Sequence, residues 1–331
     1  MRAGVIGLGQ HGRRIAAVVT QAGLELVAAV DQRAEALNAP EVPAGAARLT
    51  DPAAAFALGL DLVCINTHGP SHMALALQAM EAGVRRVMVE KPMGCSVAEC
   101  DQMIATAQRT GTRLAVNQSR RHDPLYAWIA ERAREEAWGG LRGVWIQRPG
   151  IGLGCLGTHF FDLVRFLSGR EVERVTAWVD PFLGPNPRGA QFVDPGGLVV
   201  LELAGGVRAT VAQMEDAAGP ATVELHFTGG RVRVEEQLGR VEVTVRDRAA
   251  KSPTFIAGEV PAGLSAKPNL LSMSEALVRE LAGEGPLACE AREGLASVEI
   301  LAAAHLSHAR GHTPVALPLV GADREHWMSI T

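Results

Sequence analysis

The chain has 331 residues, 47% hydrophobic and 21% charged, about two domains' worth with ample apolar content for a core, which excludes disordered and fibrous classes. Lys and Arg number 32 against 36 Asp and Glu; the net charge of −4 lacks the basic excess of a phosphate-neutralising surface, so no nucleic-acid partner is expected. No apolar run approaches the ~20 residues of a bilayer span, and a first strand beginning at Arg2 leaves no room for a signal peptide; a cytoplasmic protein without membrane contact is expected.

From Met1 to about Arg120, apolar runs too short for helices alternate with amphipathic segments. The runs are Ala3 to Ile6, Leu24 to Val30, Leu62 to Asn66, Val84 to Val89 and Arg113 to Val116. Ile15, Val18, Val19 and Ala22 keep helical spacing, as do Met73, Leu77 and Met80. Ser96 to Glu99 reads as a capping box opening a helix that Gly111 closes. Continuous apolar strands between helices predict an α/β, doubly wound parallel sheet of the Rossmann type over residues 1–120. The five cysteines, Cys64, Cys95, Cys100, Cys155 and Cys289, form no C-x-x-C pair and are read as free thiols.

Between the first strand and first helix lies Gly7, Leu8, Gly9, Gln10, His11, Gly12, the G-x-G-x-x-G spacing, and Asp31 ends the second strand 19 residues past the last glycine. The first glycine permits the tight turn, the second admits a pyrophosphate to the backbone, and the third allows close helix–strand packing. Asp31 is suited to the adenosine ribose hydroxyls and repels a 2′-phosphate, which puts NAD ahead of NADP; the nearby Arg33 works against that preference.

The strand ending at Val89 runs into Glu90, Lys91 and Pro92. The proline stops the strand and projects the lysine from the carboxyl end of the sheet, the edge where doubly wound folds bind ligands. With this triplet, the glycine loop, Asn66 and Thr67 followed by His72, Arg120, Arg121 and Pro124, and the segment from Glu293 to Gly311 ending in Pro314 and Val315, nearly the whole chain resembles the glucose-fructose oxidoreductase, inositol dehydrogenase and MocA family (Gfo/Idh/MocA). The resemblance implies that Lys91 is the acid/base at the substrate carbonyl or alcohol and that Glu90 lies by the nicotinamide. Independently of any family, hydride transfer from an alcohol requires a base for the hydroxyl proton, and such a base contributes roughly 10² to 10⁴ in rate.

From about Arg121 the texture changes. Leu141 to Gln147, Val172 to Val179, Leu198 to Leu203, Val207 to Val211, Thr222 to Phe227, Arg231 to Val234 and Arg240 to Val245 read as strands, several alternating apolar with polar residues. Gly205 and Gly206, and Gly229 and Gly230, read as hairpin turns. Residues 121–331 are therefore expected to form an α+β substrate domain with a large, mostly antiparallel sheet, with Ala249 to Pro268 as a loop. By the resemblance, the open face of that sheet serves a homo-oligomer, a dimer or tetramer. The last helix, with Leu295, Val298, Ala302 and Leu306 on one face, reads as core, and His305, His308 and His312 as structural.

The segment Gly152 to His159 leads into a helix with Phe160, Leu163, Val164 and Leu167 as its apolar stripe. Gly157, His159 and Asp162 match a family pattern that begins with aspartate, and Cys155 stands in that aspartate's place. The resemblance gives His159 the role of binding the reacting hydroxyl and sharing proton transfer with Lys91. A thiol is a poor acceptor and cannot hold a sugar hydroxyl as a carboxylate would. Cys155 is read as a small residue in a pocket reshaped for another substrate, with a nucleophile or metal ligand beside His159 as the alternatives.

The expected cofactor set is Gly7, Leu8, Gly9, Gln10, His11, Gly12, Asp31, Gln32, Asn66, Thr67, His68, His72, Glu90 and Lys91. His68 stands where the family usually has proline. The expected substrate set is Lys91, Asn117, Arg121, Cys155 and His159; no metal site is expected. Three functions are consistent with these residues: an NAD(P)-dependent dehydrogenase or reductase acting on a sugar, cyclitol or related polyhydroxylated molecule; a non-redox enzyme with tightly bound NAD that oxidises transiently during elimination or glycoside hydrolysis; and a dinucleotide-binding sensor without chemistry.

Overall fold

A computed structural model describes residues 1–135, 138–150, 152–252 and 254–330. In chain order the elements are β1 (Arg2–Ile6), α1 (Gln10–Gln21), β2 (Glu25–Val30), β3 (Ala47–Leu49), α2 (Pro52–Phe56), β4 (Leu62–Ile65), α3 (Gly69–Glu81), β5 (Arg86–Val89), α4 (Val97–Thr110) and β6 (Arg113–Val116). There follow α5 (Pro124–Arg132), β7 (Leu141–Pro149), α6 (Thr158–Ser168), β8 (Val172–Val179), β9 (Gly197–Leu203), β10 (Val207–Met214), β11 (Thr222–Phe227), β12 (Gly230–Glu235), β13 (Arg240–Arg246), β14 (Phe255–Ala257), α7 (Leu270–Ala282), α8 (Ala291–Ala309) and β15 (Val315–Ala316).

The chain divides into two compact units: Met1–His122 with Leu270–Val298 and Glu325–Thr331, and Asp123–Asn269 with Glu299–Arg324. The sequence division at 120/121 assigns everything after it to one substrate domain; the structure instead returns two later segments to the first unit. Leu277, Val278 and Leu281 of α7 are buried in one core with Ile15, Val18 and Val19 of α1. Arg279 also donates to the carbonyls of Gln21 and Ala22, which end α1. Apolar periodicity marks α7 as having a buried face without saying which neighbour buries it.

The first unit is built on a six-stranded sheet in the order β3-β2-β1-β4-β5-β6, every pair parallel. Strands β4, β5 and β6 are buried on both faces, as crossover helices require. The order reverses between β1 and β4, so a crevice opens beyond their carboxyl ends. Ser96 caps α4 by accepting from Glu99 N, and Gly111 ends it in the left-handed region; Glu99 reaches back to Cys95 N rather than to Ser96.

The second unit carries a nine-stranded sheet, β14-β13-β12-β11-β7-β10-β9-β8-β15, antiparallel except where β10 lies parallel to β7. Alternate residues of β9, β10 and β11 are buried, and Phe160, Leu163, Val164 and Leu167 of α6 are wholly buried in this unit. The expected loop at 249–268 contains the short edge strand β14, while Pro253 lies outside the described residues. All five cysteines are buried, and none of them is in a disulfide. Among the described residues no helix is long and apolar enough to cross a membrane, and no group of His, Cys, Asp and Glu is arranged to hold a metal.

Candidate active site

The glycine loop lies at the carboxyl end of β1. Gly7 N donates to Val30 O, closing the turn on the end of β2, and Gly7 adopts φ +86°, where a side chain would meet Asn66 O. A Cβ on Gly12 would fall 1.8 Å from Gly7 O, so only glycine lets α1 approach this closely. Above Gly9 the space is open, with nothing within 4 Å of a built Cβ. Gly9 is the N-cap of α1 and makes no side-chain capping bond, leaving first-turn N–H groups directed at a ligand.

Asp31, at the end of β2, accepts from Leu8 N at 2.7 Å and from Arg33 N, Nε and Nη2 at 2.9–3.2 Å. Burial opposes its charge, but the Arg33 side chain and the two backbone N–H groups outweigh it and hold the carboxyl below its usual range. Gln32 beside it is exposed.

Next to the loop stands a second carboxylate. Glu90 Oε1 accepts from His11 Nε2 at 2.7 Å and from Asn117 Nδ2 at 2.5 Å. Arg14 donates to His11 Nδ1 at 3.3 Å, which favours the tautomer with its proton on Nε2, aimed at Glu90. Burial alone would raise the pKa of Glu90; His11, Lys91 and Asn117 overcome it and bring it to about 2. Lys91, half-buried, follows at the end of β5. The ladder bonds Glu90 N to Ile65 O and Asn117 N to Val89 O align the ends of β4, β5 and β6 around this group.

His72, expected at the cofactor, is 1% exposed, with Nδ1 2.8 Å from Pro92 O and Nε2 3.1 Å from Thr67 O. Both ring nitrogens are engaged by carbonyls, so His72 ties the loop after β4 to the loop after β5 and presents no polar atom to a ligand. Burial is the larger influence and holds its pKa below the usual 6.5, so the neutral ring gives its proton to the shorter contact, Pro92 O. Thr67 and the exposed His68 lie between Asn66 and α3, with Ser71 Oγ 2.7 Å from Thr67 Oγ1. Arg121, expected at the substrate, donates to Glu293 at 2.7 Å and to Ala288 O at 3.2 Å, a tie within the first unit.

Asn66 Oδ1 and Asn117 Oδ1 are among the buried acceptors of this unit that have no hydrogen-bond partner among the described residues. Together with the open space above Gly9 they fit a polar ligand along the carboxyl ends of β1, β4 and β6, as a dinucleotide would lie. Sequence reading missed the chain's end. Met328 N donates to Cys95 O, Trp327 Nε1 donates to Glu99 Oε1, and Ile330 is wholly buried, so the final residues pack beside the segment that follows Lys91 and Pro92. No motif marks that tail.

In the second unit, residues 153–157 form a π-type turn that runs straight into α6, with Leu156 N and Gly157 N both donating to Gly152 O. Cys155 therefore lies one turn before the half-buried His159. Asp194, 0% exposed, caps this turn, accepting from Gly154 N and Cys155 N at 2.7 Å each. A Cβ on Gly152, at φ +66°, would fall 2.1 Å from Asp194 Oδ2. Arg188 Nη1 donates to Cys155 Sγ at 2.8 Å. Neither Asp194 nor Arg188 was legible as a neighbour of Cys155, since 39 and 33 residues of chain separate them from it.

Comparison with known proteins agrees with this geometry. Residues 1–118 match the family model described as "Oxidoreductase family, NAD-binding Rossmann fold", and residues 125–233 match the "GFO/IDH/MocA C-terminal domain". The chain belongs to the GFO/IDH/MocA oxidoreductase family, whose first domain binds NAD. It is 29% identical to inositol 2-dehydrogenase 1 of Saccharopolyspora erythraea over 69% of this chain and 72% of that one. It is 32% identical to D-apiose dehydrogenase of Paraburkholderia graminis over 47% of this chain, spanning about half (46%) of that relative's length. Its fold is shared with an Agrobacterium radiobacter oxidoreductase solved with NAD+, L-tartaric acid and magnesium (TM-score 0.79, 20% identity, covering 96% of this chain and 98% of that one).

Proposed function

We propose that this chain is an NAD-dependent dehydrogenase or reductase acting on a CH–OH group, or the corresponding carbonyl, of a sugar, cyclitol or related polyhydroxylated molecule. One observation carries the reading: His11 of the glycine loop is bonded to Glu90, so the phosphate-binding turn is joined to the residue that immediately precedes the proposed base Lys91. The relatives named as inositol and D-apiose dehydrogenases support the substrate class.

In this reading the N–H groups of Gly7 to Gly12 hold the pyrophosphate, Asp31 receives the adenosine ribose, and Asn66, Thr67, Glu90 and Asn117 border the nicotinamide. Bound NAD supplies the hydride acceptor. Lys91 takes the hydroxyl proton as the carbonyl forms and returns it in the reverse direction. His159, on the second unit, is assigned the hydrogen bond to the reacting oxygen. Asp31 favours NAD over NADP. The open sheet face bearing Trp145, Trp178 and Leu198, each at least 39% exposed, supports a homo-oligomer. Five buried cysteines outside any disulfide support a cytoplasmic location.

The test is a panel of sugars, cyclitols and keto sugars with NAD and NADP, followed by nicotinamide absorbance. Net reduction or oxidation with a member of the panel is expected. Product without net absorbance change would replace this reading with the non-redox one, and dinucleotide binding without conversion of any substrate would replace it with the sensor.

A further inference from the structure

We propose that the segment from Trp327 to Ile330 is a positioning element for Lys91, clamping the loop that carries it; the inference rests on the dehydrogenase reading above and assigns a further part to the same site. Lys91 stands on the loop from Glu90 to Cys95, between the end of β5 and Ser96, the cap of α4. A lysine reaches its target on a flexible four-carbon stem, so its ammonium is placed only as well as its backbone is. The far end of this loop is tied to a segment more than 200 residues further along the chain, which belongs to the same compact unit.

The ties are made to the loop itself. Cys95 O accepts from Met328 N at 2.9 Å, and Cys95 N donates to Glu99 Oε2 at 2.7 Å. The other oxygen of Glu99 accepts from Trp327 Nε1 at 3.1 Å, so one carboxylate bridges the loop and the segment. Met93 and Cys95 are 0% exposed, as is Ile330, whose N–H donates to Met328 O at 2.9 Å and also faces Cys95 Sγ.

Ile330 is wedged where two site loops meet. Gly69 opens α3, directly after the loop of Asn66 and Thr67 at the end of β4. A Cβ on Gly69 would lie 3.1 Å from Ile330 O, 3.2 Å from Cys95 Sγ and 3.6 Å from Pro92 Cγ. The loops after β4 and β5 therefore close on Ile330 at this point, while His72 joins Thr67 O to Pro92 O at another. Loss of the wedge frees the loop at Cys95 and leaves the glycine loop untouched, so the proton carrier is misplaced while the pyrophosphate site is kept.

The experiment uses the full chain. Ile330→Ala removes the wedge, Ile330→Val keeps most of it, and Trp327→Phe deletes only the indole donor. The chain has three lysines, Lys91, Lys251 and Lys267, so acetic anhydride labelling read by peptide mass spectrometry reports the surroundings of Lys91 against two internal references. In Ile330→Ala the labelling of Lys91 should rise relative to both references. With a substrate from the panel, kcat per bound NAD should fall by about 10- to 100-fold, the cost of misplacing a reacting group, with NAD affinity retained. Ile330→Val should restore both readouts, and Trp327→Phe should move them in the same direction as Ile330→Ala but less; if Ile330→Ala does not fold, Trp327→Phe decides. A lower melting temperature with the labelling ratio and kcat per bound NAD unchanged would overturn the proposal, because it describes a segment that only stabilises the fold. Selective labelling of Lys91 without turnover of any substrate would uphold the clamp while removing the dehydrogenase reading; full turnover and parental labelling in both variants would do the reverse.

Discussion

His11 Nε2 stands 2.7 Å from Glu90 Oε1, so a side chain of the glycine loop is bonded to the residue that introduces Lys91. The carboxylate is buried and remains ionised because two donors and the Lys91 charge oppose the cost of burial. Its folded-state pKa is about 2 against an ordinary 4.5. A depressed carboxylate stabilises the fold above its unfolded pKa and loses that contribution as pH falls; for Glu90 the window runs from 4.5 down to about 2. The shift corresponds to about 3 kcal/mol. Denaturant unfolding of Glu90→Gln should therefore show a shallower loss of stability across this acid range than the parent. Equal acid slopes would contradict the assignment.

Asp31 is bonded to both Leu8 N and Arg33, which places a carboxylate and a guanidinium together at the end of β2. Replacing Asp31 with Ala removes the acceptor for the ribose hydroxyls and releases Arg33 towards a 2′-phosphate. Fluorescence titration should show NAD binding weakened about 10- to 100-fold and the preference between NAD and NADP reduced or reversed. An unaltered ratio would show that cofactor choice is made elsewhere.

His72 joins Pro92 O to Thr67 O from a fully buried position. His72→Ala is expected to cost about 2–5 kcal/mol through the cavity and the Pro92 carbonyl left without its donor. Because the ring is held neutral, its contribution is present above the ordinary 6.5 and declines as pH falls below it, the unfolded chain binding the proton that the folded ring resists. Melting temperature followed through that range should fall less with acidification in His72→Gln than in the parent.

The parallel sheet of the first unit was legible because β4, β5 and β6 are buried on both faces and read as unbroken apolar runs. In the second unit β8 and β11 matched the predicted spans residue for residue, since alternation marks a one-sided strand. The strands β3 and β14 were not seen: each has three residues, and neither contains a wholly buried one. The glycine loop and the Glu90–Lys91–Pro92 triplet were legible because their chemistry depends on local spacing. The bond from Arg121 to Glu293 could not be read locally, because 172 residues of chain separate them. The two carbonyl contacts of His72 were not legible either, because polarity in a motif does not reveal which of its atoms are already bonded. The junction of Arg188 and Cys155 left no local trace at all.

The proposed chemistry depends on Lys91 as the proton carrier. Steady-state turnover of Lys91→Met with the substrate found in the panel, measured alongside NAD binding by fluorescence titration, tests it most directly. The predicted result is a loss of roughly 10² to 10⁴ in kcat with NAD affinity retained. Turnover close to that of the parent would contradict the role of Lys91.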